Sequence, residues 1–301
     1  MTASANDQPN VRLAQTDVER AAASKLLFDS YGVDLLVHEQ KSGAKAHFFL
    51  WPASDEPRAV AAIVVHRDGT SFVHLPAGDR TPTAVAELYR AIRQRANKLD
   101  ARVVLQLLPP VLHGFGPELL EHGFVHVSNV LTMKCRDRQH VRNLGRLVPP
   151  PEQIEASEEG NERLSRLVQS TYTDSLSDPS LGPEHSAALF LERLKMESAD
   201  HQDRFVQTHE GEDAAVCLIS RYDNASQIGV RYLGVAPQFR GRKLGSRVLA
   251  GALAATWSSS YRCATVEVDE QNTYAINVYR ELGFRTQSRA TEFMLPLPGE
   301  E

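Results

Sequence analysis

"VAPQFRGRKLGSRVL", residues 235–249, is the stretch that decides the fold of this chain. It leaves a β-rich run at Pro237, contains Gly241 and Gly245, and becomes helix-like from Leu244 onward. It also carries four cations, Arg240, Arg242, Lys243 and Arg247. A proline stops a strand ladder, glycines allow close approach of the backbone, and a helix start presents unpaired N–H groups. Such a turn is predicted to cradle an anion, most commonly a phosphate.

The spacing of the glycines narrows the kind of phosphate site. The stretch lacks both the G-x-x-x-x-G-K-S/T spacing of a Walker loop and the G-x-G-x-x-G dinucleotide fingerprint. A multiply phosphorylated ligand would suit the added basic side chains. The alternative interpretation is a solvated, basic helix start that binds nothing.

Whole-chain properties restrict the function classes. The 301 residues, 42% hydrophobic and 24% charged, are typical of a soluble globular protein. That length favours two domains of about 150 residues each. The net charge of −5 disfavours nucleic acid or a membrane surface as the main partner.

The cysteines and the N-terminus indicate a compartment. Three widely spaced cysteines fit neither a disulfide framework nor zinc spacing, and we predict no metal. His122 and His126, separated by a predicted helix end, make no ligand pair. The polar N-terminus has no apolar signal core, so we expect a cytoplasmic protein.

The sequence contains two copies of one pattern. "LLEHGF" (119–124) aligns with "YRELGF" (279–284) at an offset of 160 residues, and the same offset aligns "FVHLPAGDR" (72–80) with "YLGVAPQFR" (232–240). Strands alternate with helices in both copies, which predicts an α/β class. A proline-rich and then acidic stretch separates them. We therefore predict domains at 1–145 and 161–301, joined by a linker at 146–160.

A second segment, "EVDEQNTYAINVYRELGF" (267–284), predicts a helix with both ends marked. Asn272 suits the N-cap, and Gly283 followed by Phe284 suits the C-terminal stop. One face then carries Ala275, Val278, Tyr279 and Leu282. A slim ligand could lie along that face, with the Tyr279 phenol at its end. Alternatively, Tyr279 is a core aromatic and Asn272 only a cap.

Together the two segments resemble the GNAT superfamily of coenzyme A-dependent N-acetyltransferases. The family's phosphate loop, Q/R-x-x-G-x-G/A after a V-x-P strand end, is similar to the residues Val235, Pro237, Arg240 and Gly245. Its later motif, N-x-x-A-x-x-x-Y-x-x-x-G-F, matches Asn272, Ala275, Tyr279, Gly283 and Phe284 without a gap. Lys243 departs from the pattern, because it stands where the family usually has its central glycine. The resemblance covers roughly residues 160–298 and extends more weakly to 15–135.

The resemblance implies two tandem GNAT-like domains, each a mixed, mostly antiparallel sheet flanked by helices. It also implies acetyl-CoA as co-substrate, bound in the second domain. Arg240 would shape a loop whose amides hold the pyrophosphate, and the strand backbone would pair with the pantetheine arm. The residues implied in coenzyme binding are Leu233, Gly234, Val235, Arg240, Gly241, Arg242, Lys243, Leu244, Gly245, Ser246, Asn272 and Ala275.

The resemblance further implies a division of chemical roles. The backbone N–H near Val235 would stabilise the oxyanion, and Tyr279 would protonate the departing thiolate. Glu267 and Asp269, at the carboxyl end of a strand, are candidates for the base. A surface or structural carboxylate is the alternative for each.

The first copy keeps the fold signals and loses the chemical ones. At the same offset Leu119 replaces Tyr279, while Leu112 and Phe115 replace Asn272 and Ala275. "GDRTPTAV" stands in place of the glycine-rich loop, and Pro82 removes one amide donor. We therefore predict that the first copy is degenerate.

These observations predict an N-acetyltransferase with its active site in the second copy and a small-molecule or peptide amine as acceptor. The variable segment 175–194, with Asp178, Glu184 and His185, falls on the expected acceptor side. Two alternatives remain open. One is a non-catalytic acyl-CoA-binding or regulatory module; the other is an enzyme like mycothiol synthase, which the two-copy architecture also resembles.

Overall fold

The chain forms two compact units. The structure is a computed structural model that describes residues 10–42, 44–66, 70–99, 101, 103–173, 202–222 and 226–297. Unit 1 comprises residues 1–126 and 292–301, and unit 2 comprises residues 127–291.

Unit 1 contains most of the elements of the first copy. They are β1 (Arg12–Leu13), α1 (Asp17–Tyr31), α2 (Leu35–Ser42), β2 (Lys45–Trp51), β3 (Ala59–Val65), β4 (Thr70–Gly78), α3 (Pro82–Ala96), β5 (Val103–Leu108) and α4 (Gly116–Glu121), with a 3-10 segment at Pro110–Phe115. Its strands are ordered β1-β2-β3-β4-β5. All pairs are antiparallel except β4 with β5.

Unit 2 contains the second copy and the end of the first. Its elements are β6 (Val125–Cys135), α5 (Arg138–Gly145), β7 (Glu152–Gln153), α6 (Glu158–Tyr172), β8 (Gln202–His209), β9 (Glu212–Tyr222), β10 (Gln227–Val235), α7 (Leu244–Thr256), β11 (Cys263–Asp269), α8 (Thr273–Glu281) and β12 (Arg285–Met294), with a 3-10 segment at Pro237–Phe239. The strand order is β12-β6-β11-β10-β9-β8-β7; β10 and β11 run parallel, whereas β11–β6, β10–β9, β9–β8 and β8–β7 are antiparallel pairs.

The last strand of each copy is divided between the two units. Almost all of β6, which ends the first copy, belongs to unit 2 and pairs with β11 from Ala264↔Cys135 to Asp269↔Val130. The chain from residue 292 belongs to unit 1, where the Leu295 N–H donates to the Val104 carbonyl at 2.8 Å. Each compact unit is therefore completed by a segment from the other copy.

Helices cover both faces of the central strands of unit 2. Both α6 and α7 pack on β9, and every residue of β9 from 214 to 220 is buried. Helix α7 is apolar nearly all round, with Leu244, Val248, Leu249 and Leu253 fully or almost fully buried. Such a helix needs cover on its outer side as well, and α5 supplies it.

The structure differs from the predicted boundaries around residues 146–160. This segment packs in unit 2: Pro151 lies against Gly251 of α7, Glu152 pairs with Val206, and Ile154 is buried. Pro151, one of the prolines that suggested a linker, supplies apolar surface that covers α7 at Gly251. Glu152–Gln153 of this segment forms a strand and α6 begins at Glu158, so the composition of the segment did not distinguish a free linker from a packed one.

Replacing Gly251 with alanine tests this packing. An alanine inside a helix normally raises stability by about 0.5–1 kcal/mol over glycine. Here its Cβ would overlap the rigid ring of Pro151. We expect Gly251→Ala to lower the free energy of unfolding by about 1–3 kcal/mol in urea titrations. Gly114→Ala, where a Cβ meets nothing within 4 Å, is the matched control and should change little. A more stable Gly251→Ala protein would show that the segment does not hold α7.

Candidate active site

Strands β10 and β11 separate halfway along their length. Their parallel ladder runs from Gln227↔Cys263 to Val230↔Val266 and ends there. Strand β10 stays paired with β9 as far as Val235↔Ala215. A β-bulge lies between Val230 and Tyr232, at the point of separation. Because a bulge bends its strand, it opens a gap bordered by residues 232–235 and 267–269.

The backbone of β10 offers hydrogen-bonding groups to this gap. The Ala236 N–H donates to the Ala214 carbonyl at 2.9 Å, so Ala236 faces β9. Groups alternate in direction along an antiparallel strand, and Leu233 and Val235 therefore turn theirs toward the gap. Gly234, predicted to bind coenzyme with them, turns its N–H and carbonyl toward β9.

A close approach explains the glycine at position 234. A Cβ there would lie 2.6 Å from the Thr171 hydroxyl oxygen of α6. That hydroxyl is 2.6 Å from the Tyr232 hydroxyl, and the Tyr172 and Tyr232 rings stack at 5.5 Å. Thr171 and Tyr172 of α6 and Tyr232 of β10 were not among the predicted site residues. The shared face of Tyr232 and Gly234, two residues apart on one strand, was the available signal.

The start of α7 leaves its N–H groups without a side-chain cap. Lys243 occupies the N-cap in the left-handed region, at φ 60° and ψ 19°, and makes no side-chain cap bond. The Arg247 N–H donates to the Lys243 carbonyl at 3.2 Å, so the N–H groups of residues 244–246 precede the first helical bond. Elsewhere among the described helices, a side-chain oxygen caps α1, α3, α5, α6 and α8.

Arg240 holds the loop before α7. Its Nε donates to the Val235 carbonyl at 3.2 Å, and its Nη2 donates to the carbonyls of Thr171 and Thr173 at 3.0 and 2.7 Å. The guanidinium therefore ties the end of β10 to the end of α6. Its position supports the role of shaping the loop.

Several other predicted coenzyme residues already use their side chains within the protein. The Arg242 guanidinium lies 2.9 Å from His209 and 3.2 Å from Glu210. The Ser246 hydroxyl donates to Glu281 of α8 at 2.8 Å, and the Leu244 side chain is buried. For these residues the backbone amide is the group left for a ligand. Lys243 and Arg247 are exposed cations, and Gly241, at φ 78°, has open space around its Cα.

Helix α8 has the predicted ends. The Asn272 side chain accepts the Ala275 N–H at 3.1 Å, which confirms the N-cap. Gly283 adopts φ 87°, and the Phe284 N–H returns to the Tyr279 carbonyl at 3.0 Å. Ala275 lies half-buried on the same helix.

Tyr279 is buried on α8, with its ring 5.8 Å from that of Phe284. Burial raises the pKa of its phenol above the usual value of about 10, and the nearby Cys217 and Tyr232 raise it further. The phenol is therefore protonated at neutral pH. Among the described residues, no group hydrogen-bonds to this hydroxyl, so its proton remains available.

The two candidate bases differ in their surroundings. The Asp269 carboxylate accepts the Gln271 N–H at 2.6 Å and so forms part of the turn before α8. Glu267 is exposed, and no ion pair to it is found within the described part of the chain. It is the first residue of β11 beyond the ladder with β10, so it borders the gap.

In unit 1 the corresponding loop is satisfied by the protein itself. The Asp79 carboxylate accepts the Thr81 N–H at 3.0 Å, and the Thr81 hydroxyl accepts the Ala84 N–H at 3.4 Å. Pro82 removes another donor at the start of α3. Leu119, at the offset of Tyr279, is fully buried in the core. These contacts support the predicted degenerate state of the first copy.

Comparison with known proteins identifies a segment within unit 2. The model of the acetyltransferase (GNAT) family matches residues 163–284. This segment is a GNAT domain. No curated protein matches the chain by sequence.

Solved structures resemble nearly the whole chain. A GCN5-related N-acetyltransferase from Sphaerobacter thermophilus is 16% identical over 96% of this chain and 98% of its own, with a TM-score of 0.58. A tandem GNAT protein from the clavulanic acid biosynthesis pathway is 14% identical over 94% and 98%, with a TM-score of 0.57. A GCN5-related N-acetyltransferase from Kribbella flavida is 16% identical over 91% and 95%, with a TM-score of 0.53. At these identities the likeness shows the fold, and it confirms the predicted class of two tandem GNAT-like domains.

Three further predictions concern membrane association, metal binding and the acceptor side. No described helix has both the length and the apolar character to cross a membrane. No group of three or more His, Cys, Asp or Glu side chains within the described ranges is arranged to hold a metal ion. The expected acceptor-side segment, with Asp178, Glu184 and His185, lies outside the described residues.

The left-handed Lys243 gives a stability prediction. A residue with a Cβ is strained at φ 60°, by about 1–3 kcal/mol, whereas glycine is not. We expect Lys243→Gly to raise the free energy of unfolding of unit 2 by about 1 kcal/mol and to raise its thermal midpoint. Lys243→Ala removes the same amine but keeps the Cβ, so it should bring no such gain. Equal stabilities of the two variants would mean that the loop carries no strain.

Proposed function

We propose that the GNAT domain transfers an acetyl group from acetyl-CoA to the amine of a small-molecule or peptide acceptor. GNAT domains in general use acetyl-CoA as co-substrate and act on such amines. The observation that carries the proposal is the uncapped start of α7 beside the gap edge of β10. One side supplies donors for phosphate, and the other supplies a strand edge for an amide-bearing arm.

The residues present fit the two parts of the coenzyme. The amides from Gly241 to Ser246 would receive the pyrophosphate, and the exposed cations Lys243 and Arg247 would add attraction for its negative charge. The outward N–H and carbonyl of Leu233 would bond the amides of the pantetheine arm, because the Val235 carbonyl already accepts from Arg240 and the Val235 N–H is assigned to the acetyl oxygen. Asn272 and Ala275, on the first turn of α8, would lie beside that arm.

Two groups of the domain would serve the chemistry. As the amine nitrogen bonds to the acetyl carbon and the carbon–sulfur bond breaks, negative charge develops on oxygen and then on sulfur. The Val235 N–H, directed into the gap, would stabilise the oxygen. The protonated phenol of Tyr279 would give its proton to the sulfur. Its raised pKa keeps that proton in place across the neutral range.

The incoming amine must also lose a proton. We propose Glu267 as the base, because it is exposed at the border of the gap and its carboxylate is not engaged as that of Asp269 is. Acid–base assistance from a positioned side chain typically contributes about 10²–10⁴-fold.

Replacing Tyr279 with phenylalanine separates the catalytic and core interpretations of this residue. Phenylalanine keeps the ring packing and removes only the hydroxyl. Against a panel of aminoglycoside, polyamine, peptide and thiol-amine acceptors, we expect acetyl transfer by the wild type. In Tyr279→Phe, kcat should fall about 10²–10⁴-fold while acetyl-CoA affinity hardly changes. Since burial raises the Tyr279 pKa, no loss of wild-type activity below pH 10 should come from this group.

Two outcomes would contradict parts of the proposal. A near-normal kcat in Tyr279→Phe would show that Tyr279 is a core residue and not the acid. Binding of acetyl-CoA by the wild type with no transfer to any acceptor would favour a non-catalytic module. Phe284→Leu, which alters the neighbouring ring and leaves the phenol, is the control for a packing effect.

A substitution of Gly245 tests the proposed phosphate-binding loop, residues 241–246. A Cβ there would meet Val235 and Val278 at 3.5 and 3.9 Å, which is ordinary contact, so alanine should fit. We expect Gly245→Ala to retain most of its coenzyme A affinity. Gly245→Asp adds a carboxylate where phosphate must approach, and it should weaken binding at least tenfold by isothermal titration. If a folded Gly245→Asp protein bound coenzyme A as the wild type does, the cradle would lie elsewhere.

A further inference from the structure

Unit 1 contains a cavity of about 580 Å³. Cavities of about 300–1,000 Å³ are typical of sites for small molecules. This one lies where β4 and β5 separate, because their ladder ends at Phe72↔Leu105 while β4 stays paired with β3 as far as Gly78. Its walls come from β4, β5, the α1–α2 turn and the 3-10 segment that contains Leu112.

The cavity is not built for a phosphorylated ligand. Around the start of α3, the Thr81 N–H is engaged by Asp79, the Ala84 N–H is engaged by the Thr81 hydroxyl, and Pro82 has no N–H. Arg80, the cation of that loop, pairs with Glu118 and donates to the Pro76 carbonyl and the Tyr31 hydroxyl. The His74 side chain also fills the position that corresponds to Gly234 in the second copy.

One polar group in the wall is left without a partner. Gln106 is only 5% exposed, and its Nε2 donates to the Leu107 carbonyl at 3.0 Å. Its Oε1 is buried and accepts no hydrogen bond from the described residues. A buried acceptor in this state is costly, and a ligand with an N–H or O–H donor would satisfy it.

Most of the remaining lining is apolar or aromatic; the exception is Asp34, whose carboxylate accepts the Leu36 and Val37 N–H groups at the start of α2. The His66 ring lies edge-on to the rings of His38 and Phe72, at 5.6 Å from each. Burial and His38 lower the pKa of His74 to about 4, so this imidazole is neutral at pH 7. Leu35, Val73 and Leu75 complete the walls. Such walls favour a flat, uncharged body.

We propose that this cavity of unit 1 is a binding site for a small uncharged aromatic molecule that donates one hydrogen bond to Gln106 Oε1. The degenerate copy is then a ligand-binding domain with a site of its own. The site is independent of the proposed transfer reaction in unit 2.

Indole and 1-methylindole test the proposal as a matched pair, because the methyl group removes the N–H donor. With the full chain in isothermal titration, we expect one site for indole and about tenfold weaker binding of 1-methylindole. In Gln106→Leu, indole should weaken about tenfold and the preference between the two probes should vanish. Gln94→Leu, the same change at an exposed position on α3, should bind as the wild type does.

The Leu112→Trp variant and competition with acetyl-CoA test whether indole binds in this cavity. Leu112→Trp fills the cavity from a half-buried position, and it should bind neither probe. Saturating acetyl-CoA should not displace indole. The proposal is overturned if the folded wild type binds no indole, if folded Leu112→Trp still binds it, or if acetyl-CoA displaces it. Equal affinity of the wild type for both probes would overturn the role of Gln106, and this readout does not depend on how Leu112→Trp folds.

Discussion

The ladder between β10 and β11 ends after Val230 and Val266, and the proposed coenzyme site of unit 2 depends on that ending. Backbone N–H and carbonyl groups inside a protein are almost always paired. Beyond the ladder, the N–H groups of Leu233 and Val235 and the Leu233 carbonyl face an open gap, while the Val235 carbonyl accepts from Arg240. The bulge after Val230 turns β10 away from β11, and Gly234 lets α6 approach closely. These features maintain an unfinished sheet edge, which an amide-bearing ligand can complete as an added strand would.

The start of α7 also presents backbone N–H groups that the described part of the protein leaves unpaired. A left-handed lysine is unfavourable by itself, yet the loop is held at both ends: Arg240 binds three backbone carbonyls, and the helix that follows is buried in the core. Packing therefore determines the loop conformation, and the residue at position 243 conforms to it. The consequence is a set of N–H groups aimed outward with no side chain to satisfy them. Rigidity elsewhere in the fold thus keeps these N–H groups available to the proposed phosphate ligand.

Comparison of the two copies shows how the same strand geometry can be put to different uses. In unit 1, Asp79 and Thr81 occupy the donors of the loop, so the protein supplies the acceptors that a phosphate would supply in unit 2. Arg80 still contacts a nearby carbonyl of its own loop, as Arg240 does. The separation of strands persists in both, because it follows from backbone pairing. The chemical character of the space between the separated strands differs between the copies, because it depends on a few side chains, such as His74 where the second copy has Gly234.

Sequence reasoning succeeded where the cause of a feature is local. The caps and ends of α8 follow from spacing over a few residues. The tandem α/β class follows from local strand and helix patterns that recur at an offset of 160 residues. It failed where the cause is a distant contact. Arg242 meets Glu210, and Pro151 covers α7, through proximity that only the folded chain creates. Tyr279 shows why the two kinds of evidence are needed together. Its spacing left a core residue and an acid as rivals, but burial is what raises its pKa, so the core position itself prepares the phenol to hold a proton.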